Sequence, residues 1–248
     1  MFLVAAVPPS GVPRCLLRSD EVSDGSIAAL DVGESEPVLV AVIDGVGHGR
    51  LARDASTRVL EGVLEGDARD LASVMARCHR RALSSRGATV GLVLLEPASR
   101  ELRILGVGDV RIEAQGSAAA IAEGRRSSSW RSNLDTGPPS NRLNTPRSLR
   151  SLSGEMRRSS LTMNGVGAAR SFAVSSGTVG HNLPPQLFVQ TSRLEPAAGL
   201  FLCTDGVAQS FGLDGLPPAE AADPSAAVAW IVSHHGIVTD DATAIFLR

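Results

Sequence analysis

The sequence lacks several residue types that would point to particular classes of function. Its 248 residues include no lysine and no tyrosine, only three cysteines, and 3% aromatic side chains. Cys15, Cys78 and Cys203 are too few and too widely spaced to predict a disulfide framework or a zinc site. We therefore expect a protein of a reducing cytoplasm.

Long apolar runs and a strong excess of one charge are also missing. No stretch approaches the ~18 apolar residues that a membrane span needs, and the apolar start at 1–7 is too short for the core of a signal peptide. The formal net charge is -2, and 43% of the residues are hydrophobic. These values predict one globular domain over residues 1–248 that needs neither a membrane nor a nucleic acid as partner.

The periodicity of apolar residues predicts the order of the secondary-structure elements. Apolar runs at 27–30 and 38–43 flank an acidic turn, which predicts a β-hairpin that ends at Asp44. Helical spacing predicts two amphipathic helices next, at 50–65 and 67–84. The remaining elements are a second hairpin from the runs 88–95 and 102–112, strands at 186–191, 199–204 and 242–247, and a helix at 219–235. Hairpin-like strands with helices grouped between them predict an α+β domain built of packed layers.

Residues 116–170 differ from the rest of the chain in composition. They are rich in Ser, Arg, Gly and Pro and poor in large aliphatic residues, which predicts a disordered basic insertion. The sequences RRSS at 125–128 and RRSSL at 157–161 are typical of sites for basophilic kinases, so a kinase acting within 125–160 is one expected partner. The alternative is a solvated loop without a function.

Acidic residues recur at the ends of apolar strands, next to glycine or to a second aspartate. The four instances are Asp44-Gly45, Gly108-Asp109, Asp205-Gly206 and Asp240-Asp241. One Asp-Gly pair is also typical of a plain turn. Four of them at strand ends would gather carboxylate oxygens at one edge of the sheets, which suits Mg²⁺ or Mn²⁺ and indicates metal-assisted hydrolysis.

Five ordered motifs extend this interpretation to a family. They are VIDGVGHG at 42–49, GVGD at 106–109, SGTVGHNLPP at 176–185, LCTDGV at 202–207 and DDATAIFL at 240–247. In these motifs the sequence resembles the PPM (type 2C-like) metal-dependent protein phosphatases, and among them the bacterial branch of the stage II sporulation E and RsbX-like regulators. The resemblance covers nearly the whole chain outside the insertion. It implies a four-layer αββα sandwich of two antiparallel sheets flanked by helices.

The resemblance also implies a set of ligands for two divalent cations, Mn²⁺ or Mg²⁺. Asp44 would bridge both cations, the carbonyl of Gly45 would bind one of them, and Asp205 and Asp240 would bind the other. These carboxylates are the expected catalytic residues, because the cations that they hold activate the attacking water.

Two further acidic residues complete the implied site. Asp24 is the expected upstream ligand, although this chain reads Ser23-Asp24-Gly25 where the branch usually reads Ser-Gly-Asp. Asp109 matches a position that helps to bind a third, looser cation. The upstream Arg18 is interpreted as a solvated charge rather than a phosphate ligand, and His48 as a cap of the helix that follows it.

The implied activity is hydrolysis of phosphoserine or phosphothreonine on a bacterial partner-switching protein of the STAS-domain or stressosome type. One alternative is a catalytically weak or inactive phosphatase-fold protein that binds a regulator. Another is a nucleotide-binding α/β domain, because the glycine-rich stretch at 45–49 follows a strand and precedes a helix. The chain has neither GxGxxG nor a Walker lysine, which argues against the second alternative.

Overall fold

The computed structural model describes residues 37–115 and 168–248 in full, and the backbone of 2–7, 15–18 and 125–126. Asp24, the run 27–30 and nearly all of the predicted insertion lie outside the described residues. The strands are, in chain order, Phe2–Val7 (β1), Cys15–Arg18 (β2), Val38–Gly45 (β3), Ala88–Glu96 (β4), Glu101–Val107 (β5), Arg111–Gln115 (β6), Arg125–Arg126 (β7), Ala169–Ser171 (β8), Phe188–Arg193 (β9), Leu200–Cys203 (β10) and Ala244–Leu247 (β11). The helices are Arg50–Leu64 (α1), Leu71–Ala82 (α2), Pro218–Ala221 (α3) and Pro224–His235 (α4).

The described strands form two antiparallel sheets. The larger sheet has the order β2-β1-β3-β4-β5-β9-β7, and the smaller one has the order β11-β10-β6-β8. Strands β3 and β4 lie in the middle of the larger sheet, and most of their residues are buried on both faces. Such continuously apolar strands need cover on both sides, which a second sheet on one side and helices on the other provide.

Three hydrophobic cores separate four layers. Alternate residues of β3 point to opposite sides: Leu39, Ala41 and Ile43 pack with α1 and α2, whereas Val38, Val40 and Val42 pack against the smaller sheet. A third core lies between the outer face of the smaller sheet and α4; its largest fully buried members are Phe201 and Phe246. The order of layers is therefore helix, sheet, sheet, helix, and the predicted αββα sandwich of the α+β class is confirmed.

The helix boundaries follow from their caps. The predicted helix at 67–84 begins only at Leu71, because the Asp70 side chain accepts a hydrogen bond from the Ala72 N–H (3.1 Å) and caps the first turn. Helix α4 begins in the same way at Pro224, with Asp223 accepting from the Ser225 N–H (2.8 Å). This cap divides the predicted helix at 219–235 into α3 and α4. Among the helices of the described ranges, none has the length and apolarity of a membrane span.

The predicted hairpin that joins 27–30 to 38–43 is wrong. The two neighbours of β3 are β1 and β4, with Phe2 opposite Ile43 and Val38 opposite Leu95. A central strand has only two edges, and both are occupied by segments from elsewhere in the chain. The start of the sequence, interpreted only as too short for a signal peptide, thus supplies a strand of the larger sheet.

The single strand predicted at 102–112 is also wrong, and its error bears on the site. The chain turns at Gly108, whose φ of +95° favours glycine, and the two halves enter different sheets as β5 and β6. Asp109 consequently lies at the corner between the sheets. The predicted end of the insertion at 170 is slightly late, because Ala169 already pairs with Gln115; disorder of the insertion stays a prediction.

Candidate metal centre

Asp44 lies near the end of β3, a buried central strand of the larger sheet. It is partly buried and stands opposite Thr89 of β4. The buried Gly45 follows, and a glycine-rich loop at 46–49 then leads into α1. Because the six residues before Asp44 are buried in two cores, the position of this carboxylate is determined by the packing of the whole sandwich.

Gly45 lets the first turns of α1 pack directly on the end of β3. A Cβ atom at this position would overlap the carbonyl oxygen of Ala52 and would lie 2.6 Å from Ser56 Oγ. The Ser56 hydroxyl is itself buried and donates to the Ala52 carbonyl (2.9 Å), so neither atom has free space to move into. Close approach of helix and strand therefore requires glycine here.

We expect Gly45→Ala to displace α1 from the site, because the backbone atoms of Ala52 cannot rotate away from the new methyl group. The expected result is a loss of about 1–3 kcal/mol in the free energy of unfolding, together with weaker metal binding. Urea denaturation checks the first and a Mn²⁺ titration the second. Gly215→Ala is the matched control, since a Cβ there meets only the Phe211 ring at 3.9 Å; equal behaviour of the two variants would contradict the prediction.

The smaller sheet brings the other aspartates to the same end of the sandwich. Asp205 comes two residues after Cys203, which pairs with Ala244 of β11 and with Arg111 of β6. Asp240 and Asp241 precede β11, and Asp109 precedes β6. Antiparallel pairing of the three strands thus places four aspartates from three segments beside one another.

Backbone contacts hold this end together. The Thr204 N–H donates to the Thr243 carbonyl (3.1 Å), and the Ile237 N–H donates to the Gly206 carbonyl (2.8 Å). Gly206 lies so close to Asp241 that a Cβ would overlap the carbonyl oxygen of that residue. The segments that carry Asp205 and Asp240 are therefore fixed relative to each other.

The pKa values show that these carboxylates share one electrostatic field. Burial, followed by the charges of Asp205 and Asp241, raises the pKa of Asp44 to about 7. Burial also raises the pKa of Asp205, with further effects of Asp240 and Asp109. Asp241 belongs to this field as well, although the sequence analysis assigned only Asp240 as a ligand; the Asp240-Asp241 motif was the signal for both.

The donor set fits a hard divalent cation. All five side chains offer carboxylate oxygens, which Mg²⁺ and Mn²⁺ prefer. Within the described ranges, no three Asp, Glu, His or Cys side chains are already close enough to surround an ion. Carboxylates in a partly buried site repel one another unless positive charge lies between them, so a bound cation would stabilise a closer arrangement of this group.

A cleft of about 310 Å³ opens beside the aspartates. Its walls are formed by residues on both sides of Asp205 and by the corner before β6: Asp109, Val110, Arg111, Thr204, Asp205, Val207 and Gln209. Arg111 donates to the Phe211 carbonyl and, at 3.4 Å, to Cys203 Sγ, and its guanidinium lies 3.7 Å from Glu113 Oε1. It thereby ties the loop after Asp205 to β6. No local pattern in the sequence marks this residue, so its role could not be predicted.

The structure brings Asp44, Gly45, Asp109, Asp205 and Asp240 to one end of the sandwich, and Asp24 lies outside the described residues. The expected capping role of His48 is wrong, since Gly49 occupies the N-cap of α1 and no side chain caps it there.

The SGTVGHNLPP motif borders the site. Ser175 directly precedes the motif. Its N–H donates to the Gly106 carbonyl (3.0 Å), and its carbonyl accepts from the Gly108 N–H (2.9 Å). Val179 exchanges two hydrogen bonds with Ala88 at the start of β4 (2.9 Å each). The motif therefore secures the strand ends around the aspartates.

Comparison with known proteins supports the resemblance seen in the motifs. No protein-family model matches the chain. Phosphoserine phosphatase RsbX of Bacillus subtilis (strain 168) is 30% identical over 78 residues, which are 32% of this chain and 39% of RsbX. The matched stretch is thus well under half of that protein.

Solved structures extend the likeness to the whole fold. RsbX in complex with magnesium superposes with a TM-score of 0.57 and 18% identity over 93% of this chain and 90% of that one. A structure described as the bacterial stressosome, a modular system adapted to control secondary messenger signalling, gives a TM-score of 0.58 and 18% identity over 92% of this chain and 93% of that one. The resemblance to the RsbX-like branch is confirmed, and the chain has the fold of the PPM phosphatases.

Proposed function

We propose that this chain, with its PPM phosphatase fold, is a metal-dependent serine/threonine protein phosphatase. The observation that carries the proposal is the group of carboxylates around Asp44, drawn from four chain segments to one end of the sandwich; burial of Asp44, with the added charges of its neighbours, raises its pKa to about 7. Such a concentration of negative charge serves little purpose in a stable core, and it suits divalent cations.

The proposed metal ligands are the aspartates at this end of the sandwich, together with Asp24, which precedes them in the sequence. Asp44 would be shared by two Mn²⁺ or Mg²⁺ ions, Gly45 would offer its carbonyl, and Asp205 and Asp240 would complete the pair, with Asp109 near a third ion. Bound there, the cations would activate a water and neutralise charge on the phosphoryl group. The protein's own part is to hold Asp44 rigidly on β3 and to keep the Asp205 loop in place through Arg111.

The proposed substrate is a phosphorylated regulatory protein. A bacterial partner-switching protein, of the STAS-domain or stressosome type, agrees with the relatives found, one named a phosphoserine phosphatase and the other a stressosome structure. We also propose that the protein acts in the cytoplasm, where such regulators occur.

We expect purified protein to hydrolyse p-nitrophenyl phosphate and a phosphoserine peptide with Mn²⁺ or Mg²⁺ and to lose that activity in EDTA. The carboxylates cannot activate water without a cation, because they repel both hydroxide and phosphate. Steady-state turnover in the three conditions is the measurement, and re-addition of Mn²⁺ after EDTA is the control for irreversible damage. Folded protein without turnover in any metal would favour a phosphatase-fold binding protein instead.

A further inference from the structure

Arg86 occupies a rigid turn beside the candidate metal centre. The turn at 83–87 joins α2 to β4, and the Gly87 carbonyl accepts a hydrogen bond from the Val46 N–H (3.0 Å), two residues after Asp44. On the other side, the Ser85 carbonyl lies 2.8 Å from Nε2 of His181. The Ser85 hydroxyl accepts from the Gly87 N–H (3.0 Å) within the turn. The backbone on both sides of Arg86 is therefore held in place.

The Arg86 side chain reaches the loop that follows Asp44. Its Nη1 atom lies so near Gly47 that a Cβ built there would be 2.8 Å away. Gly47 also has a φ of +84°, which favours glycine. The absence of a side chain at Gly47 therefore permits the loop conformation and leaves room for the guanidinium. The guanidinium thus lies beside Gly47, which follows Asp44 by three positions in the chain.

Among the described residues, the Arg86 guanidinium has no bonding partner, whereas several other arginines are paired. Arg58, Arg81 and Arg103 form ion pairs with carboxylates. Arg86 is exposed, and within the described part of the chain it has neither a hydrogen bond nor an ion pair. An anchored backbone with an unpaired guanidinium is the arrangement expected of an arginine that binds a ligand, because no backbone has to be ordered and no existing ion pair has to break on binding.

We propose that Arg86 binds the phosphoryl group of the substrate at the Asp44 end of the sandwich. This inference rests on the proposed phosphatase function. The planar guanidinium donates two parallel hydrogen bonds to phosphate oxygens, and the chain has no lysine that could serve instead. Arg86 is a binding residue in this account, and water activation remains with the aspartates and their cations.

The test compares Arg86→Ala and Arg86→Lys with the unaltered protein and with Arg193→Ala. Arg193 is exposed and pairs in register with Glu101, at the end of the larger sheet away from Asp44, so it controls for loss of one positive charge. For Arg86→Ala we expect KM for p-nitrophenyl phosphate and for a phosphoserine peptide, and Ki for inorganic phosphate, to rise about tenfold or more. The kcat should change much less, Tm should stay the same, and Arg86→Lys should recover part of the loss.

Three outcomes would overturn the proposal. The first is that KM and Ki stay unchanged in Arg86→Ala. The second is that KM rises for the peptide alone, which would mean that Arg86 contacts peptide residues beside the phosphoserine. The third is that Tm and kcat fall together, which would mean that the role of Arg86 is structural. Failure of the phosphatase function would be seen separately, as unaltered protein without metal-dependent turnover. In that case calorimetric binding of inorganic phosphate to the Mn²⁺-loaded protein still tests Arg86, and equal affinity in Arg86→Ala would refute its role.

Discussion

Asp44→Asn is expected to lower turnover of a phosphoserine peptide by a factor on the order of 10³, the size of effect seen when one preorganised electrostatic group is removed from an active site. Burial raises the pKa of Asp44, and the charges of Asp205, Asp241 and Asp240 raise it further, so the carboxylate at the end of β3 in the larger sheet faces carboxylates carried by the smaller sheet. The amide keeps the shape of the side chain but removes the charge that two cations would share.

The measurement is kcat at saturating Mn²⁺ for Asp44→Asn and Asp205→Asn, with a Mn²⁺ titration of each. Asp54→Asn is the matched control, because Asp54 is an exposed carboxylate of α1 whose ion pair with Arg58 at 2.9 Å contributes little. We expect the control to keep full activity. If Asp44→Asn kept more than a tenth of the activity while folded, the assignment of Asp44 as the shared ligand would be wrong.

The metal-free protein is expected to lose several kcal/mol of stability as the pH rises from about 4 to about 8, since one pKa unit corresponds to about 1.4 kcal/mol. Asp44 has a pKa of about 7 in the folded protein against an ordinary value of 3.8. The folded state therefore binds this proton more tightly than the unfolded state does. The penalty for ionising Asp44 is absent below the ordinary pKa and complete above the raised one.

Urea denaturation in EDTA at several pH values, for the unaltered protein and for Asp44→Asn, isolates this effect. The variant carries no ionisable group at position 44, so it should be the more stable protein at pH 8 and should lose that advantage near pH 4. Added Mn²⁺ should then stabilise the unaltered protein at pH 8 and have little effect on the variant. Parallel pH profiles for the two proteins would show that folding does not raise the pKa of Asp44.

Local signals in the sequence predicted most of the helices and strands and the aspartates of the candidate metal centre. Apolar periodicity predicted the two long helices, since each helix buries one stripe of side chains and needs no knowledge of its partner. Aspartates at strand ends next to glycine predicted where carboxylates leave the sheets. The resemblance of the motifs to PPM phosphatases supplied the arrangement of layers, which no single pattern contains.

Contacts between distant segments decided what these signals left open. The partners of β3 were mispredicted because β1 lies far from it in the sequence and hydrophobic patterns do not name a neighbour. Gly108 divides a continuous β-like run between two sheets, and that division places Asp109 beside Asp205.

The roles of Arg111 and Arg86 depend on the same kind of contact. An arginine in a sequence is only a charge, and its function is defined by what the folded chain places around it: carbonyl groups from residues near 210 for Arg111, and Gly47 for Arg86. The sequence by itself predicted which residues carry the chemistry of the proposed metal centre. The tertiary structure alone decided which of these residues lie near one another and which arginine beside them is left unpaired, because electrostatic and packing energies depend on distances between segments that the order of residues does not specify.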